Sequence, residues 1–142
     1  PCRVMGPACK STTAQSMRQP FIIGVRGYDP IMQFVHEDDT AEAFYLAAVK
    51  DVRGACNLAA DEGIRYSKLA RYLGKKYPAL TPKLIYPPVE ILLGLRLVPF
   101  GKSQIDYIRY PLPMDTKKIR KELAFRPRHT TEETLRSFME AS

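Results

Sequence analysis

The hydrophobic pattern of the chain changes period most sharply at Gln33-Phe34-Val35-His36-Glu37-Asp38-Asp39-Thr40-Ala41. Phe34 and Val35 are aromatic and β-branched, types that suit a short buried strand. Glu37-Asp38-Asp39 then supplies acid where a helix should begin, and Asp39 with Glu42 forms a capping-box pattern. Ala41, Phe44, Tyr45, Ala48 and Val49 follow at helical spacing and predict one apolar stripe on a helix running to about Lys50. The strand therefore delivers His36 to Asp38 to its carboxyl end, the edge at which ligands bind in open α/β sheets.

The flanking segments read by the same rules. Ser11-Thr12-Thr13 starts a short helix through Met17, Phe21-Ile22-Ile23 is a short apolar run, and Gly24 to Pro30 is a loop. Ala55-Cys56-Asn57-Leu58-Ala59 predicts a second strand, and Ser67 as N-cap opens a helix to Lys76 with Leu69, Ala70, Leu73 and Tyr77 on its apolar face. Leu84-Ile85-Tyr86 predicts a third strand closed by Pro87-Pro88. Val89 to Leu97 predicts a helix apolar along Ile91, Leu92, Leu93, Leu95 and Leu97. Such a segment needs cover from the rest of the protein or from a partner, and a homodimer through Val89 to Leu97 is one way to supply it.

Ser103 to Tyr110 fits helix or strand equally, and Pro111 to Met114 is extended by its prolines. Asp115 caps a helix carrying Ile119 and Leu123. Thr130 with Glu133 makes a second capping box, before a last helix with Leu135, Phe138 and Met139 on one face. Strands alternating with helices over 142 residues predict a single α/β domain spanning residues 1–142.

Charge and cysteine content narrow the function classes. The net charge is +7, from 22 Lys+Arg against 15 Asp+Glu. The basic residues are scattered, without the interleaved aromatics of a base-stacking surface, so a solvated basic face is favoured over a nucleic-acid surface. That face also suits an anionic ligand. Cys2, Cys9 and Cys56 form no C-x-x-C pair and have no His at ligand spacing, which argues against a metal site and a disulfide framework and makes a reduced, cytoplasmic protein the default. No apolar run approaches the roughly 20 residues that span a bilayer, and no signal peptide is apparent. Asp38 and Asp39 are explained by helix capping, since anions are stabilised at a helix N-terminus. His36 reads as a hydrogen-bonded structural residue rather than a general acid or base, and His129 as a surface residue before the last cap.

Four segments, in order, resemble the C-terminal half of the NAD(P)-dependent epimerase/dehydratase family, the extended short-chain dehydrogenase/reductases. Pro1-Cys2-Arg3-Val4-Met5-Gly6-Pro7 resembles the strand end and Gly-Pro turn after that family's catalytic helix. Gln33 to Ala41 resembles its F-V-H-V-D-D-x-A segment. Gly54-Ala55-Cys56-Asn57-Leu58-Ala59 resembles its G-x-x-N-x-A strand. Met114-Asp115-Thr116-Lys117-Lys118-Ile119-Arg120-Lys121-Glu122-Leu123 with Phe125-Arg126-Pro127 resembles its closing D-x-x-K-x-x-x-x-L-G-W-x-P helix. The family's Gly-rich phosphate turn is absent, and Gly24 and Gly27 do not supply it. Tyr72 to Lys76 spells Y-x-x-x-K, but after the G-x-x-N-x-A strand instead of before the Gly-Pro turn, and is read as coincidence.

The resemblance implies a Rossmann-like α/β piece of a longer protein, lacking the dinucleotide-binding half, in keeping with a chain that opens at Pro1 on a strand already in progress. It implies NAD or NADP as cofactor of the whole protein, with none held tightly by this chain alone, and a small-molecule substrate. Pro1 and Cys2 then stand on the nicotinamide side, and Arg3 stands where many members set an Asn against the substrate, its fork suited to a carboxylate or phosphate. His36 supports that site. Arg109 is the nearest counterpart of the Arg that precedes the closing helix as part of a phosphate clamp, whereas Ile31-Met32-Gln33 stands where the family's other Arg would be. No catalytic residue is assigned within the chain, which is expected to be inactive alone. The alternative is a non-catalytic interaction or dimerisation domain.

Overall fold

A computed structural model describes residues 1–95, 106, 109–110 and 112–141. In chain order their elements are β1 (Arg3–Met5), α1 (Thr12–Arg18), β2 (Gly24–Val25), β3 (Ile31–Met32), β4 (Phe34–His36), α2 (Glu37–Val49), β5 (Ile64–Arg65), α3 (Tyr66–Tyr72), β6 (Ala79–Leu80), α4 (Pro82–Gly94), α5 (Lys117–Leu123) and α6 (Thr131–Glu140). β1 pairs with β4, β2 with β6, and β3 with β5. The residues cluster into two units, Pro1–Arg18 with Met32–Ile64 and Pro113–Ser142, and Gln19–Ile31 with Arg65–Leu112. The mixed α/β character matches the alternation of periods along the sequence.

The first unit is built on β1 and β4, which run parallel with Arg3 opposite Phe34, Val4 opposite Val35 and Met5 opposite His36. Met5, Phe34 and Val35 are fully buried, as expected for parallel strands covered on both faces. The strand predicted at Ala55 to Ala59 does not form, and the chain runs through Leu58 to Ala60 as an irregular segment. It is nevertheless buried and stitched to both strands, the Cys2 N–H donating to the Leu58 carbonyl at 2.7 Å and the Ala60 N–H to the Phe34 carbonyl at 3.0 Å. Val35, Ala43, Leu58, Ile119, Leu123 and Phe125 make one core cluster. α5 ends on Ala124 in the left-handed conformation, φ 53°. The Lys50 ammonium donates to the Leu123 carbonyl at 2.7 Å, placing a cation at the negative end of α5.

The second unit centres on Val25, Ile85 and Val89, with β2 parallel to β6. Here the predicted strand Leu84-Ile85-Tyr86 is instead the middle of α4, which carries Pro87 and Pro88 in its interior. Pro82 suits the first helical turn, and Ile85 and Val89, four residues apart, reach the same core, so burial with helical period outweighs the two ladder hydrogen bonds that the prolines cannot make. α3 ends at Tyr72, short of the predicted Lys76, because Gly74 takes φ 65°. Its N-terminus is capped by Asp29 rather than Ser67: the carboxylate accepts from the Ser67 N–H and hydroxyl, both at 2.8 Å. Among the described residues of the predicted apolar helix, Ile91, Leu93 and Leu95 are exposed. Leu97 and most of the undecided stretch 103–110 lie outside the described residues.

The capping box at α6 forms as read, Thr130 accepting from the Glu133 N–H while the Glu133 carboxylate accepts from the Thr130 N–H at 2.8 Å. That backbone bond, and then the Thr130 hydroxyl, hold the Glu133 carboxyl below its ordinary value. A depressed carboxylate contributes stability above its unfolded pKa and loses it as pH falls through its folded one. Thr130→Ala is expected to cost about 1 kcal/mol at neutral pH in chemical denaturation. The stability gap between the parent chain and Glu133→Ala should shrink as pH is lowered through and below the carboxylate range.

Candidate functional site

The carboxyl ends of β1 and β4 lie side by side, and the chain leaves them by a turn at Gly6 and by the first turn of α2. A Cβ on Gly6 would fall 2.5 Å from the Glu37 side chain, so glycine is what lets the turn pass this closely. Glu37 answers by accepting from the Ala8 N–H at 3.2 Å.

His36 is the N-cap of α2, a role the pattern Asp39/Glu42 had assigned to Asp39. Its Nδ1 accepts from the Asp38 N–H at 3.2 Å, which leaves Nε2 as the protonated nitrogen, donating to the Ser137 hydroxyl of α6 at 2.9 Å. Buried, with both ring nitrogens engaged, His36 has the geometry of a positioning group.

Asp39 does not cap the helix. It is fully buried, and its carboxylate accepts from the Arg128 N–H at 3.0 Å, the His129 N–H at 3.1 Å and the His129 Nδ1 at 3.0 Å. His129, expected on the surface, is half-buried, its ring stacked on that of His36 with centroids 4.1 Å apart and planes 24° apart. Two histidines 93 positions apart in sequence thus form one stack, clamped below by Ser137 and beside by Asp39. Neither Asp39's role nor Ser137's carries a local signal, since their partners lie 89 to 101 residues away. Beside His129 opens a depression of about 480 Å³, rimmed by Asp38, Glu42, Tyr45 and Arg128, with Glu42 and Arg128 paired at 2.8 Å.

Of the other singled-out residues, Pro1 is exposed and Cys2 half-buried, beside Arg3 at the start of β1. Burial pushes the Cys2 thiol up to about 11, so it is a protonated packing residue at neutral pH and not a nucleophile. Arg109 belongs to the second unit. Its guanidinium donates to the Tyr86 hydroxyl at 2.9 Å, to Asp106 at 3.2 Å and to the Tyr28 hydroxyl at 3.0 Å, and lies 4.8 Å from the Tyr28 ring centroid and 5.1 Å from that of Tyr110. The hydrogen bond from Arg109 lowers the Tyr28 hydroxyl, whereas donation to Asp106 raises that of Tyr86. Nε of Arg109 is buried with no hydrogen-bond partner among the described residues. Pro1, Cys2, Arg3 and His36 all belong to the first unit, but the register sets Arg3 opposite Phe34 and His36 opposite Met5, so that Pro1 to Arg3 and His36 stand at opposite ends of the strand pair; Arg109 belongs to the second unit. Among the described residues, no group of three or more His, Cys, Asp or Glu is placed to hold a metal ion, and no helix is long and apolar enough to cross a membrane.

No family model matches the chain. Over 131 residues it is 28% identical to an uncharacterized protein of Mycobacterium tuberculosis (strain H37Rv) and to one of Mycobacterium bovis, covering 92% of this chain and 35% of each relative. Among solved structures it is similar to UDP-glucose 4-epimerase of Thermotoga maritima with UDP-glucose (TM-score 0.62, 16% identity, 99% of this chain and 43% of that one). It is similar to MoeE5 in complex with UDP-glucuronic acid and NAD (0.63, 14%, 99% and 44%) and to RMD of Pseudomonas aeruginosa complexed with NADPH (0.59, 11%, 98% and 45%). The likeness is one of fold. The chain spans about a third of the curated relatives and less than half of these structures.

Two substitutions probe the clusters just described. Asp39→Asn keeps one acceptor oxygen but turns its N–H₂ toward at least one N–H donor of Arg128 or His129 and should cost about 1–3 kcal/mol, whereas Asp38→Asn, at an exposed carboxylate, should stay within about 0.5 kcal/mol, both read by urea denaturation. Arg109→Gln should return the Tyr28 hydroxyl upward toward the ordinary tyrosine range, followed by alkaline NMR titration of its ring carbon.

Proposed function

We propose that the chain is the C-terminal, substrate-side part of an NAD(P)-dependent epimerase/dehydratase-like protein, of the extended short-chain dehydrogenase/reductase kind. The observation that carries this reading is the fold likeness to such enzymes over 98–99% of the chain, combined with four of the family's motifs in order. Support also comes from the parallel β1–β4 pair, which sets the Gly6 turn beside the His36 cap. In this reading Pro1 and Cys2 flank the nicotinamide and Arg3 meets an anionic group of a small-molecule substrate through its fork, while His36, at the carboxyl end of the strand pair, orients α2. Arg109, gripped by Tyr28, Tyr86 and Asp106, would offer an anionic group a fixed cation within the second unit.

Among the described residues, the N-termini of α2, α3, α5 and α6 and the glycines at 6 and 24 do not fit a dinucleotide pyrophosphate. Such a group needs free N–H donors at a helix N-terminus and glycines that let it approach. The first turn of α2 carries Glu37, Asp38 and Asp39, that of α6 carries Glu132 and Glu133, the Ser67 N–H of α3 is taken by Asp29, and the Lys117 N–H of α5 by Asp115. The space at Gly6 is filled by Glu37 and that at Gly24 by Tyr77. Phosphate recognition and hydride chemistry, supplied by NAD or NADP when bound, accordingly fall to polypeptide outside these residues, and the chain alone is inactive in this reading.

A second reading, a non-catalytic domain that dimerises, is favoured by the exposed Leu84, Ile91, Leu93 and Leu95 on and after α4. Calorimetric titration with NAD(H) and NADP(H) separates the two. The isolated chain should bind neither, while a longer natural polypeptide containing it should bind one. Tight binding by the isolated chain would overturn this reading of where the cofactor is held. A stable dimer in sedimentation, with no cofactor bound by the natural protein, would favour the second.

A further inference from the structure

α2 is apolar on two opposite sides. Ala43 and Leu46 pack into the core with Val35 and Leu123. At about 100° per residue, Ala41, Phe44, Tyr45, Ala48 and Val49 lie on the other side. The sequence pattern predicts these five as the helix's buried stripe, yet Phe44, Tyr45 and Val49 are 62%, 66% and 58% exposed and both alanines are exposed. A solvent-facing helix needs one apolar face; a helix with two belongs between layers. The strands beneath it point the same way, since β1 and β4 are three residues each and parallel, and parallel strands are stable inside larger sheets covered on both faces.

We propose that the Ala41–Phe44–Tyr45–Ala48–Val49 face of α2 is the docking surface for an amphipathic helix of the remaining polypeptide of the whole protein, the part that carries the cofactor cradle. The occupant follows from length: the chain answers to 35% of its curated relatives and 43–45% of the solved structures named above, so in each the matching segment accompanies more than its own length of further chain. Alanines at positions 41 and 48 allow a helix to approach closely on either side of the Phe44 ring. The proposal rests on the reading of the chain as part of a longer protein, and it concerns packing, so it can fail separately from the assignment of a cofactor.

The test compares the isolated chain with the natural polypeptide by hydrogen exchange of the α2 amides and by thermal melting of a Phe44→Glu/Val49→Glu variant of each. In the isolated chain the variant should melt at the parent temperature, because both side chains already face solvent. In the longer protein the α2 amides should exchange on the order of tenfold more slowly than in the chain, and the variant should lower the melting temperature. Equal exchange and equal melting in the two contexts would overturn the proposal, as would a natural protein with nothing beyond these 142 residues. A dimer of the isolated chain that the double substitution splits would also overturn it, by making a second copy the occupant. Slowed exchange in a longer protein that binds neither NAD nor NADP would uphold the docking surface and refute the cofactor reading; cofactor binding without slowed exchange would do the reverse.

Discussion

The buried carboxylate of Asp39 is the constraint around which the first unit closes. It accepts three hydrogen bonds, all from Arg128 and His129, and a polar group so thoroughly removed from water persists only when its lone pairs are used. Because those donors are largely backbone, the approach to α6 is fixed in position before any side-chain packing is considered. The imidazole of His129 is thereby laid on that of His36, and Ser137, in the second turn of α6, meets the other edge of the His36 ring. One side chain thus ties the carboxyl end of β4 to the last helix of the chain.

Legibility in the sequence followed the range of the interactions. The Thr130–Glu133 box, the helix after Ser11 and the helix leaving His36 are set by residues within a turn of one another, and all three read directly. The Gly-Pro turn after β1 read for the same reason, although why Gly6 must lack a side chain emerged only with Glu37 lying against it. Misreadings arose where a distant partner decided. Leu84-Ile85-Tyr86 has strand-like composition, but Ile85 and Val89 share a core with Val25 some 60 residues earlier, and helical period won. Asp39 looked like a cap because caps are local, while its actual donors are 89 and 90 residues away.

The stripe on α2 is a different kind of case. Its period was read correctly and its burial was not, because periodicity reports that a face is apolar and not which neighbour covers it. Arg109 illustrates the same limit from the polar side. A single arginine in a tract of undecided secondary structure gave no hint that Tyr28 and Tyr86, 81 and 23 positions away, would join its neighbour Tyr110 around it.

The division of the chain has a kinetic meaning. The first unit is assembled from three separate stretches, the last of them beginning at Pro113, and His36 finds Ser137 across 101 positions. Contacts of such separation must overcome loop-closure entropy before they reward the chain, which slows folding. During synthesis, at roughly 5–20 residues per second, β1 and β4 emerge long before the helix that clamps them exists. The nascent chain therefore carries an unfinished pair of parallel strands across the 101 positions that separate His36 from Ser137, and completes that unit only once α6 has emerged.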